Sequence, residues 1–293
     1  MNAYRQLQHL RSQFRAHPAT RNRQVAAWVR FVYWQVRSRL VKRPMAIRFI
    51  NGSRLLVWRG RPASTSAWYF GLADFDEMTF IQHLLRPGDL FLDGGANVGV
   101  WSVLAASTGA SVLAVEPIPE TADLLRHQGE LNGLGDHFKI IRCALSDSPG
   151  TVLMTENEDV GNRVVLDGHA AERHVTVTCQ MLDEVCKGCV PVLIKLDLEG
   201  HELAALRGAT RTLAEPGLLA LVIETFRPHN WQSESLRSIE TLLESHGFLP
   251  QAYDPVDRSL VRLREPSAGG QNTIYTRDGE EVAARLRDRP RVS

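Results

Sequence analysis

Apolar positions along the chain change period as the sequence proceeds. Over residues 24–43, Val25, Val29, Val32, Val36 and Leu40 recur at helical spacing while Arg23, Arg30 and Arg37 fall on a second stripe, which predicts an amphipathic helix stopped by Pro44. Two short strand-like runs follow, Ala46–Ile50 and Arg54–Trp58, joined by Asn51-Gly52, a strong hairpin signal. Arg61-Pro62-Ala63-Ser64 then marks a boundary. From about residue 74, short apolar runs alternate with helical patterns. Asp76–Leu85 reads as a helix, Asp89–Leu92 as a strand leading to a helix that ends at Ser107, and Ser111–Val115 as a strand. A helix over Glu120–Leu131, a strand over Phe138–Ala144, a strand over Val192–Leu196 and a helix over Glu199–Leu213 continue the series. Leu218–Ile223, a helix over Ser235–His246 and closing strands at Leu249–Tyr253 and Asn272–Thr276 complete it. Such alternation predicts an α/β domain with a doubly wound, mostly parallel sheet. Thr151–Thr155, Arg163–Leu166 and Val175–Met181 interrupt it as a β-rich insertion. The divisions are therefore an extension over 1–62, a main domain over 63–278 and a charged tail over 279–293 that is expected to fray.

The net charge of +1 conceals an asymmetry. Of the 34 Lys and Arg, 14 precede Asp74, where no acid occurs, leaving 20 to face all 33 acids. The basic segment is thus drawn either to the acidic remainder or to something anionic. No run approaches the roughly 20 apolar residues of a spanning helix. An Arg-rich, acid-free start also has the composition of a mitochondrial presequence, though with few serines. Cys143, Cys179, Cys186 and Cys189 fit a reducing, cytoplasmic setting better than a disulfide framework. Cys186 and Cys189 form a lone Cys-x-x-Cys pair, too few ligands for structural zinc, and no metal is expected.

Two segments carry chemistry. Asp93-Gly94-Gly95-Ala96-Asn97-Val98-Gly99 places glycines between a strand and a helix, where a ligand can approach backbone and helix N-terminus. Glu116 ends the next strand and is placed to bind a ribose diol. These features suit a dinucleotide or S-adenosylmethionine. A carboxylate at Asp93, at the mouth of the turn, would repel a pyrophosphate but suit an ammonium and sulfonium. The second segment, Ile194-Lys195-Leu196-Asp197-Leu198-Glu199-Gly200-His201-Glu202, lies where the fourth strand meets its helix, the edge at which doubly wound sheets bind ligands. Asp197 or Glu199 could act as general base for a hydroxyl, with His201 as an alternative. Glu202 fits equally well as a helix N-terminal stabiliser.

The order of these motifs resembles the FkbM-type S-adenosylmethionine-dependent methyltransferase family. The matching segments are Leu84-Leu85-Arg86-Pro87-Gly88-Asp89, the glycine loop, Glu116-Pro117, Ala144-Leu145-Ser146-Asp147, Leu182-Asp183, the Ile194–Glu202 motif, Gly208-Ala209 and Ile223-Glu224. The similarity covers about residues 70–250, and Gly94 departs from it, since such proteins more often carry a larger apolar residue there. The resemblance implies a class I, Rossmann-like, seven-stranded sheet and methyl transfer from S-adenosyl-L-methionine, commonly to a hydroxyl of a sugar, glycolipid or secondary metabolite. It implies a cofactor site lined by Asp93, Gly95, Asn97, Gly99 and Glu116, with Ser146 and Asp147 near the adenine. It places Asp197, Glu199 and Glu224 on the substrate side.

Three other readings remain open. One is an RNA methyltransferase using the basic N-terminus, although the Asn/Asp-Pro-Pro-Tyr/Phe and Pro-Cys signatures of nucleic-acid enzymes are absent. Another is a non-catalytic S-adenosylmethionine-binding module. The third, compatible with catalysis, is docking of the basic helix on an anionic membrane surface, which would make the protein peripheral to a membrane.

Overall fold

In the computed structural model, the described residues are 3–155, 174–225, 233–264, 272–277 and 279–288. The N-terminal extension holds helices α1 (Ala3–Ala16) and α2 (Gln24–Leu40) and a hairpin of β1 (Met45–Arg48) and β2 (Arg54–Val57). The hairpin turns where the sequence predicts. Asn51 and Gly52 take φ values of 49° and 80°, and Ser53 N–H closes the turn on the Ile50 carbonyl at 2.9 Å. Helix α3 (Pro62–Phe70) begins with its proline in the first turn, where a missing N–H costs nothing.

Phe14, Ala27, Trp34, Val57, Tyr69 and Phe70 form one buried cluster, with Trp28 and Phe31 packed against it. The extension is therefore joined to the start of the main domain by an aromatic core that runs across residue 62. The stripe of α2 that periodicity singles out faces the other way: Val25, Val29, Val32, Val36 and Leu40 are all exposed, from 53% to 79%. The edge of β2 is paired by side chains. Gln128 accepts from and donates to the backbone of Leu56 at 2.8 and 3.0 Å, and Asn132 does the same for Arg54 at 2.8 Å each way.

Helix α4 (Phe75–Leu84), β3 (Leu90–Gly94), α5 (Val100–Ala106), β4 (Ser111–Val115), α6 (Pro119–Leu131) and β5 (Phe138–Ile141) form the first half of the main domain. Next come β6 (Ala144–Leu145), β7 (Gly150–Thr155), β8 (His174–Gln180) and α7 (Leu182–Val185). The second half holds β9 (Leu193–Leu196), α8 (Glu202–Arg207), α9 (Thr210–Ala214), β10 (Ala220–Glu224), α10 (Ser233–Ser245), β11 (Phe248–Asp254), β12 (Ser259–Arg262), β13 (Asn272–Arg277) and α11 (Glu280–Arg287).

The main sheet runs β12-β11-β13-β10-β9-β3-β4-β5. The five strands from β10 to β5 are parallel, and β13 enters antiparallel between β10 and β11. Neighbouring residues along each strand serve opposite faces. Phe91, Val112, Leu193 and Val222 join the core under α4 and α5, while Leu92, Leu113, Ile194 and Leu221 join the core under α8, α9 and α10. Apolar runs covered by helices on both sides are what a doubly wound parallel sheet requires. Strand order reverses between β3 and β9, and this switch point opens the crevice that holds the site.

Several elements differ from expectation. An eighth strand, β12, extends the sheet beyond the expected seven. The insertion forms a separate sheet of order β6-β8-β7, and the expected strand Arg163–Leu166 lies outside the described residues. The long helix expected over Glu199–Leu213 starts late, because Glu199 and Gly200 take φ values of 55° and 103°. It then breaks at Gly208, where any Cβ would overlap the Ser146 carbonyl oxygen. The start of the charged tail does not fray. Val282 and Leu286, one helical turn apart on α11, are buried in the core, and Arg285 pairs with Asp89 at 2.6 Å.

Candidate active site

The loop after β3 is shaped by left-handed backbone at Gly95, Asn97 and Gly99, with φ of 74°, 51° and 82°. A Cβ at Gly95 would overlap the Asp197 carbonyl oxygen, so glycine lets the β3 and β9 loops touch. Gly99 meets Leu125 of α6 in the same way and sits at the N-terminus of α5. Space beside Gly94 is filled by Leu196 and Leu145, whose methyl carbons would lie 2.8 and 3.0 Å from a Cβ there. Its small size leaves no void.

Glu116 is 6% exposed and binds the loop from the end of β4, accepting from Asn97 N–H at 2.9 Å and Ile118 N–H at 3.0 Å. Burial pushes its carboxyl up to about 7 against the pull of these two N–H groups. Each oxygen has a further lone pair for a hydroxyl donor. Asp93 lies behind the cavity wall rather than at the mouth of the turn. It is 0% exposed and accepts from Ser102 Oγ at 2.6 Å, while its other oxygen has no hydrogen-bond partner among the described residues.

Lys195 organises the charges. It is 1% exposed, with Nζ 3.2 Å from Asp197 Oδ2 and 3.9 Å from Asp93 Oδ1, and it lies 5.3 Å from the centroid of the Trp101 ring. Burial alone would lower its pKa, but Asp197, Asp93 and Glu224 together reverse this and hold it above the ordinary lysine value. Burial raises Asp93 and Asp74 despite the attraction of the same ammonium. The carboxylates of Asp197, Glu199 and Glu224 converge, with oxygens within 4.8 Å of one another, an arrangement able to take a proton or to ligate a cation.

These groups surround a cavity of about 600 Å³. One wall is the glycine loop with Glu116. A second is Cys143, Ala144 and Leu145, and a third is Lys195, Asp197, Leu198, Glu199 and His201. Asp74 at the head of α4 and Trp101 on α5 complete the body of the site. The remaining wall comes partly from the extension, through Gln13, Ala16 and His17. His17 fixes that wall by hydrogen bonds from Nε2 to the carbonyls of Leu72 and Ala73, at 2.8 and 3.2 Å. Among the described residues lining the cavity, four carboxylates (Asp74, Glu116, Asp197 and Glu199) face one Lys or Arg, Lys195.

Gly95, Asn97, Glu116, Asp197 and Glu199 are thus brought to one cavity, with Glu224 beside it. Ser146 is buried behind the wall with its Oγ 3.2 Å from His201 Nε2, and Asp147 is exposed, so the cavity is lined by the residues just before them. Glu202 is buried and accepts from Leu198 and Gly200 N–H, which makes it a brace for the loop carrying Glu199. Burial lowers His201 and favours its neutral form. Lys195, Asp74 and His17 carry no role in the sequence reading. A lysine within the buried run Leu193-Ile194-Lys195-Leu196 is a usable signal, because an unpaired charge is not tolerated in such a strand. Cys143, Cys179 and Cys186 are buried core thiols and Cys189 is exposed.

Residues 93–250 match the family model described as Methyltransferase FkbM domain. Methyltransferase sdnD of Sordaria araneosa is 29% identical over 199 residues, covering 56% of this chain and 75% of sdnD. Hexuronic acid methyltransferase AglP of Haloferax volcanii is 28% identical over 171 residues, covering 57% of this chain and 66% of AglP. A SAM-dependent methyltransferase of Agrobacterium tumefaciens aligns in structure with a TM-score of 0.42 and 12% identity, over 80% of this chain and 70% of that one. That likeness is too distant to bear on function.

Proposed function

The chain belongs to the FkbM methyltransferase family, which uses S-adenosylmethionine as methyl donor, and on that premise we propose that it methylates a hydroxyl oxygen of a sugar, glycolipid or related metabolite. The donor set fits the cofactor. A cavity with more carboxylates than ammonium groups favours a ligand carrying a sulfonium and an ammonium. Asn97 and Glu116 belong to the cofactor end, with Glu116 accepting from ribose hydroxyls, whereas Gly99 packs on Leu125 outside the cavity lining. When bound, S-adenosylmethionine supplies an electrophilic methyl group.

The observation that carries the oxygen acceptor is the convergence of Asp197, Glu199 and Glu224 at the ends of β9 and β10. A hydroxyl becomes a competent nucleophile as its proton leaves, and a carboxylate within hydrogen-bond reach receives it. Lys195 donates to Asp197 Oδ2 at 3.2 Å and fixes its orientation, which makes Asp197 the first choice as base and Glu199 the second. Most of the acceleration arises from holding acceptor and donor in line. The relative AglP is named for a hexuronic acid, so sugar acids and their glycosides are the first acceptors to try. Incubation with radiolabelled methyl donor and panels of sugars, glycolipids and RNA tests the reading. Label in a base-stable ether on a sugar or lipid supports it, whereas label confined to RNA overturns it.

A further inference from the structure

Helix α2 has two apolar faces with different fates. Ala27 and Trp34 are buried against the domain with Phe14 and Tyr69, and Trp28 and Phe31 pack beside them. On the opposite side, Val25, Val29, Val32, Tyr33, Val36 and Leu40 are 50–79% exposed along the whole helix. Arg30 and Arg37 border that stripe on one side and Arg39 on the other, while Arg21 and Arg23 precede it and Lys42 and Arg43 follow it. None of these seven cations has a carboxylate in ion-pair range among the described residues. Among the described residues, these seven cations are therefore not neutralised by the acidic domain. Aromatic packing holds the helix and leaves its valine-lined face outward, with the Arg30 guanidinium over the Trp68 ring and Arg37 donating to the Arg43 and Pro44 carbonyls at the border of that face.

We propose that this face of α2 seats on an anionic lipid bilayer, with the valines entering the interface and the flanking cations meeting lipid phosphates. A shallow apolar stripe flanked by cations is the pattern of an interfacial helix. Each cation near such a surface adds to binding, and salt weakens that part. A second copy of this chain is a poorer occupant, because apposing two such faces would set arginine rows against each other. No helix among the described residues is long and apolar enough to cross a membrane, so the contact is peripheral. Because α1 and α3 share the aromatic cluster with α2 and also line the cavity, seating α2 would bring the cavity near the bilayer surface. The proposal rests on the two faces of α2 and stands apart from the choice of methyl acceptor.

Co-sedimentation of the full chain with vesicles tests it, using phosphatidylcholine alone and phosphatidylcholine with about a quarter phosphatidylserine. The expected result is pelleting with the phosphatidylserine vesicles, reversed by salt, and apparent affinity about tenfold or more weaker in the double variant Val29→Ser/Val36→Ser. Both valines are exposed, so an unchanged melting temperature confirms that this variant keeps the fold. The proposal is overturned if the chain stays in the supernatant at low salt, or if the variant pellets as the parent does. It is also overturned if the parent elutes as a dimer that the variant converts to monomer.

Discussion

Gly95 lies so close beneath Asp197 that a single added carbon would overlap the Asp197 carbonyl oxygen. The cofactor loop and the loop carrying the proposed base are thus in van der Waals contact through a missing side chain. Gly95→Ala should destabilise the protein by about 1–3 kcal/mol, through strain at positive φ and displacement of the Asp197 backbone. It should also weaken donor and acceptor binding together. Gly247→Ala, at a φ of 81° with open space around it, separates the effects by reporting strain alone. Denaturant melts and calorimetry on both variants check this. If they behave alike, the contact has no functional weight.

Glu116 holds the glycine loop through Asn97 N–H and Ile118 N–H, so its removal affects more than one ligand contact. Glu116→Ala should weaken S-adenosylmethionine binding by about 1.5–3 kcal/mol, the scale of a lost charged hydrogen bond. Isothermal calorimetry with the donor and its demethylated product measures it. Unchanged affinity for both ligands would remove Glu116 from the cofactor site.

Asp197→Asn keeps an acceptor for the Lys195 ammonium but removes the proton acceptor. Turnover should fall at least about 100-fold, the lower end for loss of a general base, while donor affinity is retained. Single-turnover kinetics with any acceptor found in the screen decides it. Full activity in Asp197→Asn, with loss in Glu199→Gln, would move the base to Glu199.

Stability should depend on pH through half-buried Glu77 on α4, whose carboxyl is pushed up to about 7 by loss of solvent and then by Asp74 and Asp76. Between the ordinary value of 4.5 and about 7, the folded state holds this proton and the unfolded chain does not. Its stabilising contribution is therefore complete below that window and is lost as pH rises through it. Glu77→Gln should melt higher than the parent near pH 8, with the difference shrinking toward about pH 5. An offset that is the same at both ends would show that Glu77 is not held protonated by the fold.

Much of this site could be read from residue order because its parts are local. Glycines needing positive φ announce the loop, and Asp197, Glu199 and Glu224 follow buried strands whose ends must meet at the switch point. Residues whose partners are distant in sequence stayed hidden. Asp74 and His17 lie outside residues 93–250, the part that matches the family model, and nothing in their neighbours tells that they reach the cavity wall. Periodicity found the valine stripe of α2 but could not say which apolar side is buried. Trp28, Phe31 and Trp34 bring far more burial area than valines, and that decides it. Val282 and Leu286 were masked by surrounding charge, although one helical turn between them suffices to dock α11.

Gln128 on α6 and Asn132 at its C-cap are four residues apart, a rise of about 6 Å, and the backbone groups they bind on β2 are two residues apart, a span of about 6.7 Å. The helix thereby offers two side-chain amides at nearly the repeat of a neighbouring strand. Such a pairing asks for two amide residues at fixed positions that play no part in chemistry. In a relative without the hairpin those amides would have nothing to bind, and the two positions would be free to drift. Two amides one helical turn apart, following the glycine loop by some thirty residues, then serve as a written trace of an N-terminal hairpin in relatives known only as sequence.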